Sequence, residues 1–203
     1  EGRSFGLEMM VQKTLGKTTG WLAYTLAKTD HRFKDGAISQ GKWFPYKYDR
    51  RHNISLCLNH KFSERIDAGV SWIFNTGGCI TVPERATVII RPDGSTEPGS
   101  HISQRNNYRL PANHRLNVGI NFHKKTKHGM RTWNISLYNA YNAMNPNIVY
   151  SKWQMERNMN DYYDHNYNGK PGEAPTPKEE GKTIIKKLTI LPCIPSVTYT
   201  YKF

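Results

Sequence analysis

Every second residue of the segment Ile194 to Phe203, IPSVTYTYKF, points the same way along an extended chain. Pro195, Val197, Tyr199, Tyr201 and Phe203 fall on one face, and Ser196, Thr198, Thr200 and Lys202 on the other. Strict period-two alternation requires a strand that meets two different environments. Six further segments repeat it. Their apolar sets are Phe5, Leu7, Met9, Val11; Leu22, Tyr24, Leu26; Ile54, Leu56, Leu58, Phe62; Ala68, Val70, Trp72, Phe74; Leu116, Val118, Ile120, Phe122; and Trp133, Ile135, Leu137. The opposite faces are rich in Asn, Ser, Gly and Thr. A sheet face in bulk water usually carries many Lys and Glu. Small hydrogen-bonding groups suit the crowded lumen of a barrel instead.

The connections between these segments alternate, short after the first, third and fifth and long after the others. Membrane barrels place short turns on the periplasmic side and long loops outside. The C-terminus then falls on the periplasmic side. Phe62, Phe122, Trp133 and Phe203 are expected at one level there, as an aromatic girdle, with Val197, Tyr199, Tyr201 and Phe203 facing lipid. The predicted fold class is therefore all-β: an antiparallel, up-and-down transmembrane β-barrel segment of about seven strands. A soluble basic β-domain that binds nucleic acid is one rival reading, and a passive porin-type barrel another.

Composition narrows the choice. The hydrophobic fraction is 37% and no run is long enough for a transmembrane helix. Barrel strands expose only alternate residues to lipid, so a low average is compatible with them. Net charge is +13, from 29 Lys+Arg against 16 Asp+Glu. The cations are scattered over loops and turns and do not form one stripe, which argues against a nucleic-acid partner. Cys57, Cys79 and Cys193 have no metal-ligand spacing and imply no disulfide framework. The start, EGRSFGLE, lacks the basic and apolar regions of a signal peptide and has no initiator Met, so the chain reads as a mature or cut piece.

Three stretches carry a resemblance. WNISLYNAYNAMNP (Trp133 to Pro146), LPCIPSVTYTYKF (Leu191 to Phe203) and RLPANHRLNVGINF (Arg109 to Phe122) resemble the C-terminal part of TonB-dependent outer-membrane receptors. The resemblance implies a barrel of about 22 strands, with residues 1–203 forming a C-terminal portion. It implies active ligand uptake across the outer membrane of a Gram-negative bacterium. The implied partners are the rest of the barrel and a plug, TonB acting through that plug, the barrel-assembly machinery, outer-membrane lipid and a surface lipoprotein. No TonB box or plug is present in these residues, and seven strands alone would leave two open edges in lipid. The terminal pattern Val197, Tyr199, Tyr201, Phe203 is then the assembly signal.

Nothing in the sequence points to catalysis. No nucleophile elbow, phosphate loop or dinucleotide fingerprint occurs, and the eight histidines show no metal-ligand pairing. Neither an enzyme activity, a metal nor a cofactor is expected. Asp161, Asp164 and His165 form at most a polar loop. Asp67 and Glu8 are candidate lumen carboxylates, expected to pair with Arg or Lys. The aromatic and basic long connections are the functional lead. Trp43, Tyr46 and Arg50, with Arg105, Tyr108 and Arg109, are the candidate ligand contacts, since aromatic faces suit rings and Arg suits carboxylates or phosphates. The same residues could instead pack loop to loop or bridge lipid phosphates.

Overall fold

A computed structural model describes residues 1–146, 148–155 and 181–203. The chain is all-β, with a single 3-10 turn at Ser39–Gly41 among the described residues. In chain order the strands are β1 (Gly2–Lys13), β2 (Thr18–His31), β3 (Phe44–Pro45), β4 (His52–Lys61) and β5 (Ile66–Asn75). Then come β6 (Cys79–Ile80), β7 (Arg85–Ile90), β8 (Thr96–His101), β9 (Tyr108–Arg109) and β10 (Asn113–Thr126). The last are β11 (Gly129–Tyr138), β12 (Ile148–Met155), β13 (Gly181–Leu188) and β14 (Ile194–Lys202).

Two compact units share these strands, one holding residues 1–81, 104–148 and 187–203, the other 82–103 and 149–186. In the first unit, β1, β2, β4, β5, β10, β11 and β14 form one antiparallel sheet in that order, with β3 hydrogen-bonded to β2. The sheet is open. Its edges are β1 and β14, and neither outer edge has a strand partner among the described residues. The seven long strands coincide with the seven alternating segments and differ from them only at their ends.

The register joins the apolar sides of all seven strands into one face. One row runs Val11, Leu22, Leu56, Trp72, Leu116, and the next Leu58, Val70, Val118, Leu137, Pro195. This face is open: Leu7, Val11, Leu58, Ile135 and Val197 are all exposed. The buried hydrophobic residues of this unit are Phe44, Cys79 and Ala143, and all three lie away from the long strands' apolar face. Strand pairing therefore holds the sheet together without a packed core of its own.

The strands are also staggered in one direction. Lys13, the last residue of β1, lies in the hydrogen-bonding row of Pro195, and β14 runs on from there to Lys202, with Phe203 following. At the opposite margin Ile194 lies in the row of Gln12, and β1 runs on from there to Gly2. The slip is eight residues at the first margin and ten at the second; at ~3.3 Å each over six strand spacings of ~4.8 Å, this tilts the strands by about 43–49° to the sheet margin. Barrel strands tilt by about 35–45°. A ten-residue strand such as β5 then spans roughly 22–24 Å, against an apolar band about 25 Å tall.

Short turns, residues 14–17, 62–65 and 127–128, lie at one margin of the sheet, and β2, β5 and β11 run into the longer connections at the other. Gly129 closes the tightest turn. Its φ is +155°, and a Cβ at this position would come within 2.0 Å of the Lys202 carbonyl oxygen, so no side chain fits there. After β11 the resembling stretch forms a clamp. Asn139 takes φ +54° and is buried, and its Nδ2 donates to the Ala143 and Leu191 carbonyls at 3.0 and 3.1 Å. Asn142 accepts from the Cys193 N–H at 2.9 Å, and Asn145 bonds both the N–H and the C=O of His114.

The second unit contains the hairpin β7–β8, and β12 pairs with β13 in a further two-stranded sheet. The sequence predicts a short strand over Val88 to Ile90, and β7 contains it. Pro98-Gly99 reads as a turn but lies within β8, paired with Val88 and Thr87. The turn is Arg91 to Ser95 alone, where Gly94 has φ +81° and Asp93 accepts from the Ser95 N–H at 2.9 Å. The sequence predicts one closing segment from Thr183 to Phe203. It is two strands: β13 pairs with β12, and only β14 joins the large sheet. The sequence marks this segment as interrupted at Pro192 and Pro195; Pro192 lies between the two strands, and Pro195 is the second residue of β14. Asp161, Asp164 and His165 lie outside the described residues.

Candidate functional site at the long-connection margin

The strand β2 overruns its partner β4, and the overrun organises the site. Phe44 and Pro45 add to it opposite His31 and Asp30. The Tyr46 N–H then bonds the Thr29 carbonyl at 2.9 Å. This brings five rings together. The rings of His31 and Tyr46 are 4.5 Å apart, Phe33 stacks on Phe44 at 6.1 Å, and Tyr48 meets Tyr46 edge-on at 5.6 Å. Phe44 is buried beneath them. The cleft they form encloses about 230 Å³, and Lys47, Arg105 and Asn106 complete its lining. It is aromatic and cationic, with no carboxylate in the lining. Such a surface favours a ring that carries an anionic group.

Two buried carboxylates and one buried amide hold the surrounding connections. Asp49 accepts from the Thr29 N–H at 2.8 Å and from Arg109 Nη2 at 2.5 Å, and its side chain is 1% exposed. Arg109 Nη1 also donates to the Asp49 and Gly77 carbonyls, at 2.6 and 2.8 Å. Asp30 pairs with Arg3 at 2.8 Å and Lys28 at 3.4 Å. Asn106, at φ +56°, bonds the Pro45 carbonyl and the Thr81 hydroxyl.

These contacts sort the six sequence candidates. Tyr46 and Arg105 line the cleft. Trp43 is in contact with the guanidinium groups of Arg3 and Arg32, at 4.3 and 4.9 Å from its ring centroid. Arg50 is exposed outside the cleft lining, and Tyr108 belongs to the two-residue ladder β6–β9, opposite Ile80. Arg109 is committed to Asp49. His31, Phe33, Lys47 and Asn106 line the cleft without being among those candidates. The sequence signal for His31 is the continuation of the β2 alternation past Thr29.

On the sheet's small-polar face, Asp67 accepts from Asn121 Nδ2 at 2.8 Å and contacts His123 Nε2. His123 Nδ1 bonds the Thr132 hydroxyl at 2.9 Å, and Asn134 donates to Asn121 at 2.8 Å. The expected Arg or Lys partner of Asp67 is therefore a histidine, because β10 places His123 diagonally across from it. Among the described residues no group of three or more His, Cys, Asp or Glu side chains could hold a metal ion.

Cys79, in β6, is buried, and burial pushes its thiol pKa up, although Arg109 opposes the shift. Less thiolate at a given pH means slower alkylation. With a neutral maleimide at pH 8, Cys57 and Cys193 should label well before Cys79, as read by peptide mass spectrometry. Equal rates would show that the β6–β9 ladder opens freely.

No known protein family matches the chain, and neither does any curated protein or solved structure.

Proposed function

We propose that this chain is wall, outer loops and assembly signal of an outer-membrane β-barrel that takes up a ligand by TonB-dependent active transport. The observation that carries the membrane reading is the uncovered apolar face bounded by aromatic residues near both margins. Near the long connections stand Trp72, Phe74, His114 and Tyr141. Trp72 Nε1 donates to the Tyr141 hydroxyl at 3.1 Å, and that hydroxyl bonds His114 Nδ1 at 2.9 Å. Towards the short turns, Phe62 stands at the margin, and Phe122, Trp133 and Tyr199 continue its row, each further inside the slanted margin; the ring centroids of Trp133 and Tyr199 are 4.9 Å apart. Phe203, four residues beyond Tyr199, stands at the slanted margin itself. The rows between hold Leu58, Val70, Val118, Leu137 and Pro195, and His60, Ala68, Ile120, Ile135 and Val197. Rings towards both ends of the strands, with mostly aliphatic residues between them, suit a bilayer and its interfaces.

The strand stagger supports a barrel, since a sheet that closes on itself must have tilted strands. The free edges of β1 and β14 would pair with further strands of the same barrel, because unpaired backbone groups in lipid cost several kcal/mol each. Active rather than passive transport rests on the resemblance of Trp133 to Pro146 and Leu191 to Phe203. In this reading the small-polar face lines the lumen, and the aromatic, cationic cleft at the long-connection margin touches the incoming ligand.

Membrane fractionation tests the reading. The chain should stay with outer membranes through urea and high-salt washes, leave with detergent, and migrate differently on gels before and after boiling. Recovery of the 203 residues as a stable monomer without detergent would overturn it.

A further inference from the structure

The short-turn margin carries an unneutralised pair of cations on the apolar side of the sheet. Lys124 and Arg131 are directly opposite each other in the β10–β11 ladder. Their parity is that of Phe122 and Trp133, so they stand one row beyond those rings on the same face. Both are exposed, and neither has a carboxylate within ion-pair distance among the described residues. Like charges directly opposite in a ladder repel, with Cβ atoms about 5 Å apart. Arg131 leans over the Tyr201 ring at 5.9 Å, on its other flank. Lys13 ends β1 with the same parity at the same slanted margin.

The long-connection margin is built differently. There Arg3 and Lys28 share Asp30, and Arg32 and Lys34 share Glu1. The acids nearest the short turns are also engaged, Glu64 with Lys61 and Asp67 with His123 on the opposite face. Among the described residues the cations at Lys124 and Arg131 thus have no counter-charge, and they sit where a lipid headgroup would be.

We propose that this margin binds the phosphate of anionic glycerophospholipids, with Lys124 and Arg131 gripping one headgroup beside the Trp133–Tyr199 pair. The Arg131 fork offers two parallel N–H donors to phosphate oxygens, and Lys124 adds a point charge. A bound phosphate turns the cross-strand repulsion into two attractions. The site rests on the membrane reading, because its cations become a headgroup site only if the adjoining rings are in lipid.

Trp133 is the reporter. The assembled barrel is reconstituted into vesicles of phosphatidylcholine mixed with phosphatidylglycerol, one or the other brominated on its acyl chains. Subtracting the signal of Trp133→Phe isolates quenching at this residue. Brominated phosphatidylglycerol should quench Trp133 at least threefold more effectively per mole than brominated phosphatidylcholine. The preference should vanish in the double variant K124Q/R131Q. Equal quenching by the two lipids, or a preference that survives the double variant, overturns the headgroup site and leaves the membrane reading standing. No quenching by either lipid overturns both.

Discussion

Ile135→Arg should sharply reduce assembly into the membrane, whereas Ser136→Arg, one residue along the same strand, should be tolerated. Ile135 is 48% exposed and lies between Ile120 and Val197 on the apolar face. If that face meets water, an exposed Ile→Arg change is worth about 0.5 kcal/mol or less. If it meets lipid, an Arg near the midplane costs about 2–4 kcal/mol. The second figure is at least about thirtyfold in an equilibrium constant, since 1.4 kcal/mol is tenfold. Ser136 points to the small-polar face, opposite Gly119 and Ser196, where glycine leaves room for a longer side chain. The readout is the fraction of heat-modifiable, folded protein in outer membranes. Equal yields for the two variants would place both faces in water and remove the barrel reading at its base. Reduced yield of the Ser136 variant alone would assign lipid to the wrong face.

The sheet was legible in the sequence because its signal is strictly local. Alternation from Phe5 to Val11, or from Leu116 to Phe122, needs no knowledge of a partner strand. Connection length added the antiparallel neighbour order. The stagger was hidden, because it depends on which residue faces which, and several registers satisfy the same alternation. The cleft was only half legible. Aromatic and basic residues mark the 32–51 connection as a surface that binds or packs, but composition cannot separate the two uses. Arg105 and Arg109 look alike in sequence. One lines the cleft, and the other is consumed by Asp49, sixty positions away. Asp67 shows the same limit. Its partner His123 is set by the β5–β10 register, not by any spacing along the chain.

Arg109→Ala should destabilise the long-connection margin by roughly 3 kcal/mol, the low end for breaking a buried ion pair, because Arg109 itself is about one-third exposed. The loss has two parts. The Asp49 carboxylate would keep the Thr29 N–H at 2.8 Å and a distant Arg51 at 3.8 Å, too little for a charge so deeply buried. The carbonyls of Asp49 and Gly77 would also lose their shared donor. Gly77 cannot shift to compensate, since its backbone packs against Leu110, and a Cβ there would come within 2.0 Å of the Leu110 carbonyl oxygen. The second variant separates charge from packing. Asp49→Asn in the Arg109→Ala background removes the orphaned charge and should recover a large part of the loss, while Asp49→Asn alone should destabilise through its own broken pair. Proteolysis of the long connections in the folded protein reads this directly: Arg109→Ala should be cut fastest, the double variant more slowly. If the double variant is cut at least as fast as Arg109→Ala, the ion pair is not what holds the connections, and the backbone donors of Arg109 are.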